Sequence, residues 1–238
     1  MASFVRHLLT IILLSSATIS VSAQKLHPYE LKFGEFSELK VVDGINVDYY
    51  CDPTKGGKVE FEATPETASA VMFEPSKDRL TIKLALRDGS YRDLPTIRVY
   101  TSFLTKVENE GDSTVRVMEV VATPKFSCKV IGNGRLSVRN VQANNVEANI
   151  LSGNGTIAIY GTAETAKLRV TGAGDIQADE LKTTNADCSV TGTGSISCYV
   201  TNFMKAGGVG SGKIYYRGNP EIKRPLISHV KTIPLDQK

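Results

Sequence analysis

Five segments of the chain line up on a pair of glycines one residue apart: "VIGNGRLSV" (130–138), "LSGNGTIAI" (151–159), "VTGAGDIQA" (170–178), "VTGTGSISC" (190–198) and "GVGSGKIYY" (208–216). Their first glycines are Gly132, Gly153, Gly172, Gly192 and Gly210, at steps of 21, 19, 20 and 18 residues. "VENEGDSTV" (107–115) reads as a degraded earlier copy that keeps only Gly111. Within each copy apolar residues alternate. Cys188, Val190, Gly192, Gly194, Ile196 and Cys198 share one phase, and Thr193, Ser195 and Ser197 occupy the other. A period of two is that of a strand with one buried face. Both glycines fall on the inward phase, where the backbone bends or comes close to something else.

A unit of about 20 residues cannot bury its own apolar face, whereas a stack of such units can. The expected fold is all-β: a single-stranded right-handed β-helix or β-solenoid with coils of about 20 residues, preceded by an N-terminal β-strand cap region. With strands about 4.8 Å apart, five or six coils make a rod roughly 25 Å long. Hairpins in a sandwich or barrel give similar strand spacing, but they do not explain a glycine pair that returns at the same phase.

The first half reads differently. "ELKVVDGINVDYYC" (38–51), "KVEFEAT" (58–64), "RLTIKLAL" (79–86) and "TIRVYTS" (96–102) alternate in the manner of strands. Turns are expected at "DPTKGG" (52–57), "EPSKD" (74–78) and "RDGSYRDLP" (87–95). In "TPETASAVMF" (64–73), Thr64 is a capping residue and Pro65 suits a first helical position, so one short helix is expected there. The chain thus divides into a leader (1–23), an N-terminal β region that caps the rod (24–105), the glycine-pair solenoid (106–218) and a proline-punctuated cap or tail (219–238).

The leader has Arg6 and His7 before the apolar run Leu8–Leu14 and ends Val21-Ser22-Ala23, the pattern of an export signal cleaved after Ala23. Gln24 stands where a lipid-anchored protein of this kind would need cysteine. The apolar run is too short to span a bilayer, and no transmembrane segment is expected in the mature chain. Without Arg6 the charges are 27 Lys and Arg against 25 Asp and Glu, a net of +2, which signals neither nucleic acid nor an acidic membrane as partner. The four cysteines, Cys51, Cys128, Cys188 and Cys198, have no zinc-site spacing. Cys128, Cys188 and Cys198 read as small buried apolar residues, with a bridge between Cys188 and Cys198 across one coil as the alternative.

"DGINVDYY" (43–50), the Asp/Gly-rich break before a "L-T-I" strand, the glycine-pair repeats and the closing "YYRGNP" (215–220) occur here in one order. In that order the chain resembles the head GIN domain of putative auto-transporter adhesins, secreted proteins of Bacteroidetes-type bacteria, over roughly residues 33–222. The resemblance implies an all-β, solenoid-like fold and a periplasmic or cell-surface setting in a Gram-negative bacterium. It implies no catalytic residues.

The residues themselves advertise little chemistry. Gly172-Ala173-Gly174 lacks the third glycine of a dinucleotide fingerprint, since position 177 is Gln, and strand follows where a helix is needed. No Gly-Lys-Ser/Thr occurs. The residues after the second glycines are Arg135, Thr156, Asp175, Ser195 and Lys213, which cannot make a calcium ladder. Asp175, Asp179, Glu180 and Asp187 are the candidate acids of a carbohydrate-active β-helix enzyme, which would need paired carboxyls at a set separation. A solvated outer face is the simpler reading. Thr171, Thr191, Asn133, Asn154, Thr193 and Ser211 are expected to stack as a polar ladder. The expectation is a non-enzymatic exported protein with no catalytic, cofactor-binding or metal residues and no cofactor. It acts as an adhesin or envelope scaffold, meets a glycan or a surface protein, and self-associates; the alternative is an enzyme or a binding module for glycan or lipid.

Overall fold

The structure, a computed structural model, describes residues 25–85, 93–226 and 228–235; the leader and most of the turn expected at 87–95 lie outside the described residues. The chain is all-β, a solenoid of about six turns with coils of about 20 residues. Nine short strands and the helix α1 come first: β1 (His27–Lys32), β2 (Glu38–Val42), β3 (Val47–Cys51), β4 (Lys58–Ala63), α1 (Pro65–Ala70), β5 (Val71–Ser76), β6 (Arg79–Leu84), β7 (Ile97–Thr101), β8 (Lys106–Glu110) and β9 (Thr114–Val117), with a 3-10 turn at Pro53–Lys55. Five long strands follow: β10 (Val120–Ile131), β11 (Arg135–Ile150), β12 (Thr156–Gly172), β13 (Asp175–Gly192) and β14 (Ser195–Gly210). β15 (Lys213–Arg217), β16 (Glu221–Lys223) and β17 (Lys231–Pro234) end the chain.

Each long strand belongs to two successive coils and pairs in parallel with its neighbours. Residues 135–138 of β11 lie beside β9 and the start of β12, while 141–150 lie beside β10 and 161–170. The inward phase breaks twice within such a strand. In β11, Leu136 and Val138 point in, then Val141, then Val146, Ala148 and Ile150, all essentially without exposure. With the glycine corner this makes a three-sided coil. The short middle side absorbs the uneven repeat length, since Thr183 pairs with Val200 but Asn185 with Phe203.

The two glycines of a pair have different tasks, and only the second occupies the inward phase. The first turns the corner: Gly153 has φ +84°, and a Cβ there would stand 2.3 Å from the Gly132 carbonyl oxygen of the preceding coil. The second is buried; a Cβ on Gly155 would stand 2.5 Å from Val130 Cγ1 and 3.0 Å from the Gly132 oxygen. Counting parity places both inward, but the left-handed backbone of the first rotates it out of phase.

The amino-terminal strands continue the stack out of sequence order. β2 lies between β6 and β8, and β3 between β7 and β9, all parallel. β8, Gly111 and β9 form a coil in register with the glycine-pair coils. The antiparallel strands β1 and β4, the hairpin partner β5 and the helix α1 cover this end, with Tyr29 stacked on Phe61 and Phe73 packed between Phe61 and Phe33. The helix begins as its capping residue requires: the Thr67 N–H donates to Thr64 Oγ1 at 3.2 Å. β5 occupies part of what reads as a turn, because Pro75 and Glu74 sit on an outer edge where a missing N–H costs nothing.

Where the plain coils give way to glycine-pair coils, polar groups enter the interior and are matched. Asn109, fully buried, donates from Nδ2 to the Ser113 and Arg135 carbonyls at 2.9 and 3.1 Å and accepts from Ser113 Oγ at 2.9 Å. On the outer phase of the same strand, Glu108 is covered to 4% exposure and meets Lys106 Nζ at 2.8 Å and Lys129 Nζ at 3.0 Å. Burial pushes its carboxyl pKa up, and the hydrogen bonds from Lys106 and Lys129 more than reverse this, leaving it below the ordinary carboxylate range. A lowered pKa means the carboxylate stabilises the fold above the unfolded value, and this is lost as pH falls through the folded value. Glu108→Gln is therefore expected to cost about 2 kcal/mol at neutral pH. The gap from the parent protein should close below roughly pH 4, as measured by urea unfolding across a pH series.

Candidate ligand groove

A groove of about 350 Å³ runs along the rod at the corner between the middle and third sides of the coils. Parallel register builds it from columns. One wall is Asn145, Thr165, Asn185 and Phe203, one residue from each of four coils. The other wall is Glu147, Lys167, Asp187 and Lys205. The floor between them includes Ala166 and Ala186, which put only a methyl inward at this point and stay 4% and 5% exposed.

The walls are ordered by their own hydrogen bonds. Thr165 Oγ1 donates to Asn145 Oδ1 at 2.5 Å, and Asn145 Nδ2 to the Pro124 carbonyl at 3.3 Å. Asn202 Nδ2 donates to Asn185 Oδ1 at 3.1 Å. On the charged wall Lys125 reaches Glu147 at 3.0 Å and Lys205 reaches Asp187 at 3.8 Å. The signs alternate coil by coil, so the wall carries no net charge. Phe203 is half-buried and is not among the apolar side chains packed against the core.

The four acids singled out in the sequence do not form one centre. Asp175 accepts a hydrogen bond from Ser195 Oγ at 2.6 Å. Asp179 accepts from Ser197 Oγ at 2.8 Å and has Arg217 at 3.4 Å. Glu180 is exposed beyond the end of that side. Asp187 alone lines the groove. Among the described residues no three His, Cys, Asp or Glu side chains are grouped to hold a metal ion. Of the polar ladder expected at the glycine corner, the Asn133 step is formed: Asn133 Nδ2 donates to Asp112 Oδ1 and the Asn154 N–H to Asn133 Oδ1, both at 3.2 Å. Cys128, Cys188 and Cys198 are buried free thiols. Cys188 and Cys198 lie 3.9 Å apart, sulfur to sulfur, within one coil, and their contact together with burial pushes the Cys188 thiol pKa well up.

The groove escapes sequence reading because it belongs to no motif. Its signal is the reading down the aligned copies, Asn-Thr-Asn-Phe beside Glu-Lys-Asp-Lys, which needs the register of the third side. The phase of the glycines does not supply it.

These features define a parallel β-solenoid whose outer surface is organised in columns along its axis. The chain belongs to the family described as putative auto-transporter adhesin, head GIN domain, whose profile matches residues 35–220. Among solved structures it is similar to a putative adhesin from Bacteroides fragilis NCTC 9343, with a TM-score of 0.77 at 20% identity over 89% of this chain and 95% of that one. A putative adhesin from Parabacteroides distasonis ATCC 8503 aligns with a TM-score of 0.72 at 21% identity, over 90% and 98% of the two chains. A putative lipid binding protein from the same organism aligns at 0.66 and 18% identity, over 89% and 95%. At these identities the likeness is one of fold. No curated protein matches the chain in sequence. Among the described residues no helix is long and apolar enough to cross a membrane.

Proposed function

We propose that the protein is exported and acts without chemistry, as an adhesin or cell-envelope scaffold that meets its partner along the groove. The observation that carries this reading is the groove itself: a charged wall drawn from four coils faces a wall that is polar over three coils and ends in Phe203, as suits an elongated ligand or an extended surface. The family, the neighbours described as putative adhesins and the export pattern of residues 1–23 support it. Asp175, Asp179 and Asp187 are each engaged by a separate hydroxyl or cation, which is the arrangement of a structural surface. The test is retention of residues 24–238 on arrays of glycans, envelope proteins and phosphatidylethanolamine–phosphatidylglycerol vesicles, with the products analysed by mass spectrometry. Retention without turnover is expected. Turnover of a glycan that disappears in Asp175→Asn would overturn the proposal. The lipid-binding description of one neighbour makes the vesicles a necessary arm.

Self-association belongs to the same proposal, through the sides of the rod. The end edges are blunted: β1 and β5 carry Pro28 and Pro75, and the last coil carries Lys223, Lys231 and Pro234. Light scattering over a concentration series should show a mass rising above the monomer, and a constant monomer mass would remove this contact.

A further inference from the structure

We infer that the groove takes an uncharged saccharide chain lying along the rod axis. This rests on the groove being the contact surface proposed above. Its length is three coil spacings, about 14 Å, and its volume of about 350 Å³ falls within the range of small-molecule sites. The charged wall decides the class of ligand. Glu147, Lys167, Asp187 and Lys205 alternate, so a polyanion laid along them meets two carboxylates and a polycation meets two ammonium groups, and each mismatch is repulsive. A hydrocarbon tail would desolvate the four charges of this wall, which is costly, over a floor of Val146, Ala166 and Ala186 whose side chains belong to the core. A hydroxyl group both donates and accepts, so it can pair with carboxylate and ammonium in turn. The opposite wall divides that property, because the amides of Asn145 and Asn185 carry hydrogens to donate and the Thr165 oxygen, whose proton goes to Asn145, can accept. Phe203, at the carboxyl-terminal end of this wall and off the core, adds a ring whose negative face attracts the polarised C–H face of a sugar.

The experiment is calorimetric titration of residues 24–238 with the neutral hexasaccharides of maltose, cellulose, mannan and chitin types. A galacturonate hexamer and phosphatidylethanolamine–phosphatidylglycerol vesicles serve as comparators. At least one neutral hexasaccharide should bind, with an affinity nearly unchanged between about 50 and about 500 mM salt, since an uncharged ligand escapes screening. Phe203→Ala should weaken it by about tenfold. If that variant melts early, Asn185→Ala reports in its place. Binding of the galacturonate or the vesicles alone, abolished by Phe203→Ala, would overturn the saccharide inference and leave the groove as a contact surface. Binding of any probe that both variants leave unchanged would overturn the groove as well.

Discussion

Gly192→Ala is expected to lower the stability of the fold by about 4 kcal/mol, the sum of two costs that glycine avoids. The backbone at Gly192 has φ +122°, a conformation that strains any L side chain by about 1–3 kcal/mol. A Cβ would also stand 2.3 Å from the Gly172 oxygen and 3.1 Å from its carbon, and overpacking of this kind costs about 1–3 kcal/mol. Neither atom can yield easily, because that oxygen accepts the Thr193 and Gly194 N–H groups at 3.0 and 3.1 Å. At 2–4 °C per kcal/mol for a chain of this size, the melting temperature should fall by about 8–16 °C. Gly44→Ala is the control. A Cβ there meets nothing within 4 Å, and the change should stay within about 0.5 kcal/mol. Equal effects at the two positions would contradict the stacking account.

Ile45→Ala is expected to cost about 3–4 kcal/mol, the usual loss when a fully buried isoleucine is truncated. Ile45 lies at the centre of the Gly-Ile-Asn signature and is completely buried. By register it occupies the place taken by Ser113 in the next coil and by Gly134 in the one after. In the later coils the turn before it lies so close that a Cβ on Gly134 would stand 2.5 Å from Asn109 Nδ2. At Ile45 the interior takes a full side chain, which is wholly buried. Asn46 completes the signature by clamping coils together: its Oδ1 accepts the Thr114 N–H and its carbonyl the Ile97 N–H, both at 2.9 Å. The signature is thus a packing device, and Ile45→Val should leave ligand binding unchanged while costing about 1 kcal/mol.

The repeat was legible because strand parity and glycine spacing are local properties. The side breaks near residues 140 and 145 were not, since the first rests on one left-handed asparagine, Asn140 at φ +50°, and the second shows only as a change of inward phase, from Val141 to Val146. The insertion of β2 between β6 and β8 depends on contacts distant in sequence and leaves no local trace. β1 alternates, with Tyr29 and Leu31 against the core and Glu30 and Lys32 exposed, but the run is short and Pro28 weakens it as a strand signal. The acids from Asp175 to Asp187 looked like a cluster because they are near in sequence. A three-sided coil sends Asp175 and Asp179 to one side and Asp187 to another, where its neighbours are Lys167 and Lys205 from adjoining coils.

The central claim is that a ligand is read along the rod, by one column position from each of several coils. Hydrogen–deuterium exchange with a bound neutral hexasaccharide tests it most directly. Protection is expected in four separate peptides containing 145–147, 165–167, 185–187 and 203–205, recurring at the coil period while the intervening glycine corners exchange as before. Protection confined to one corner, or to the β1–β5 end, would contradict the account.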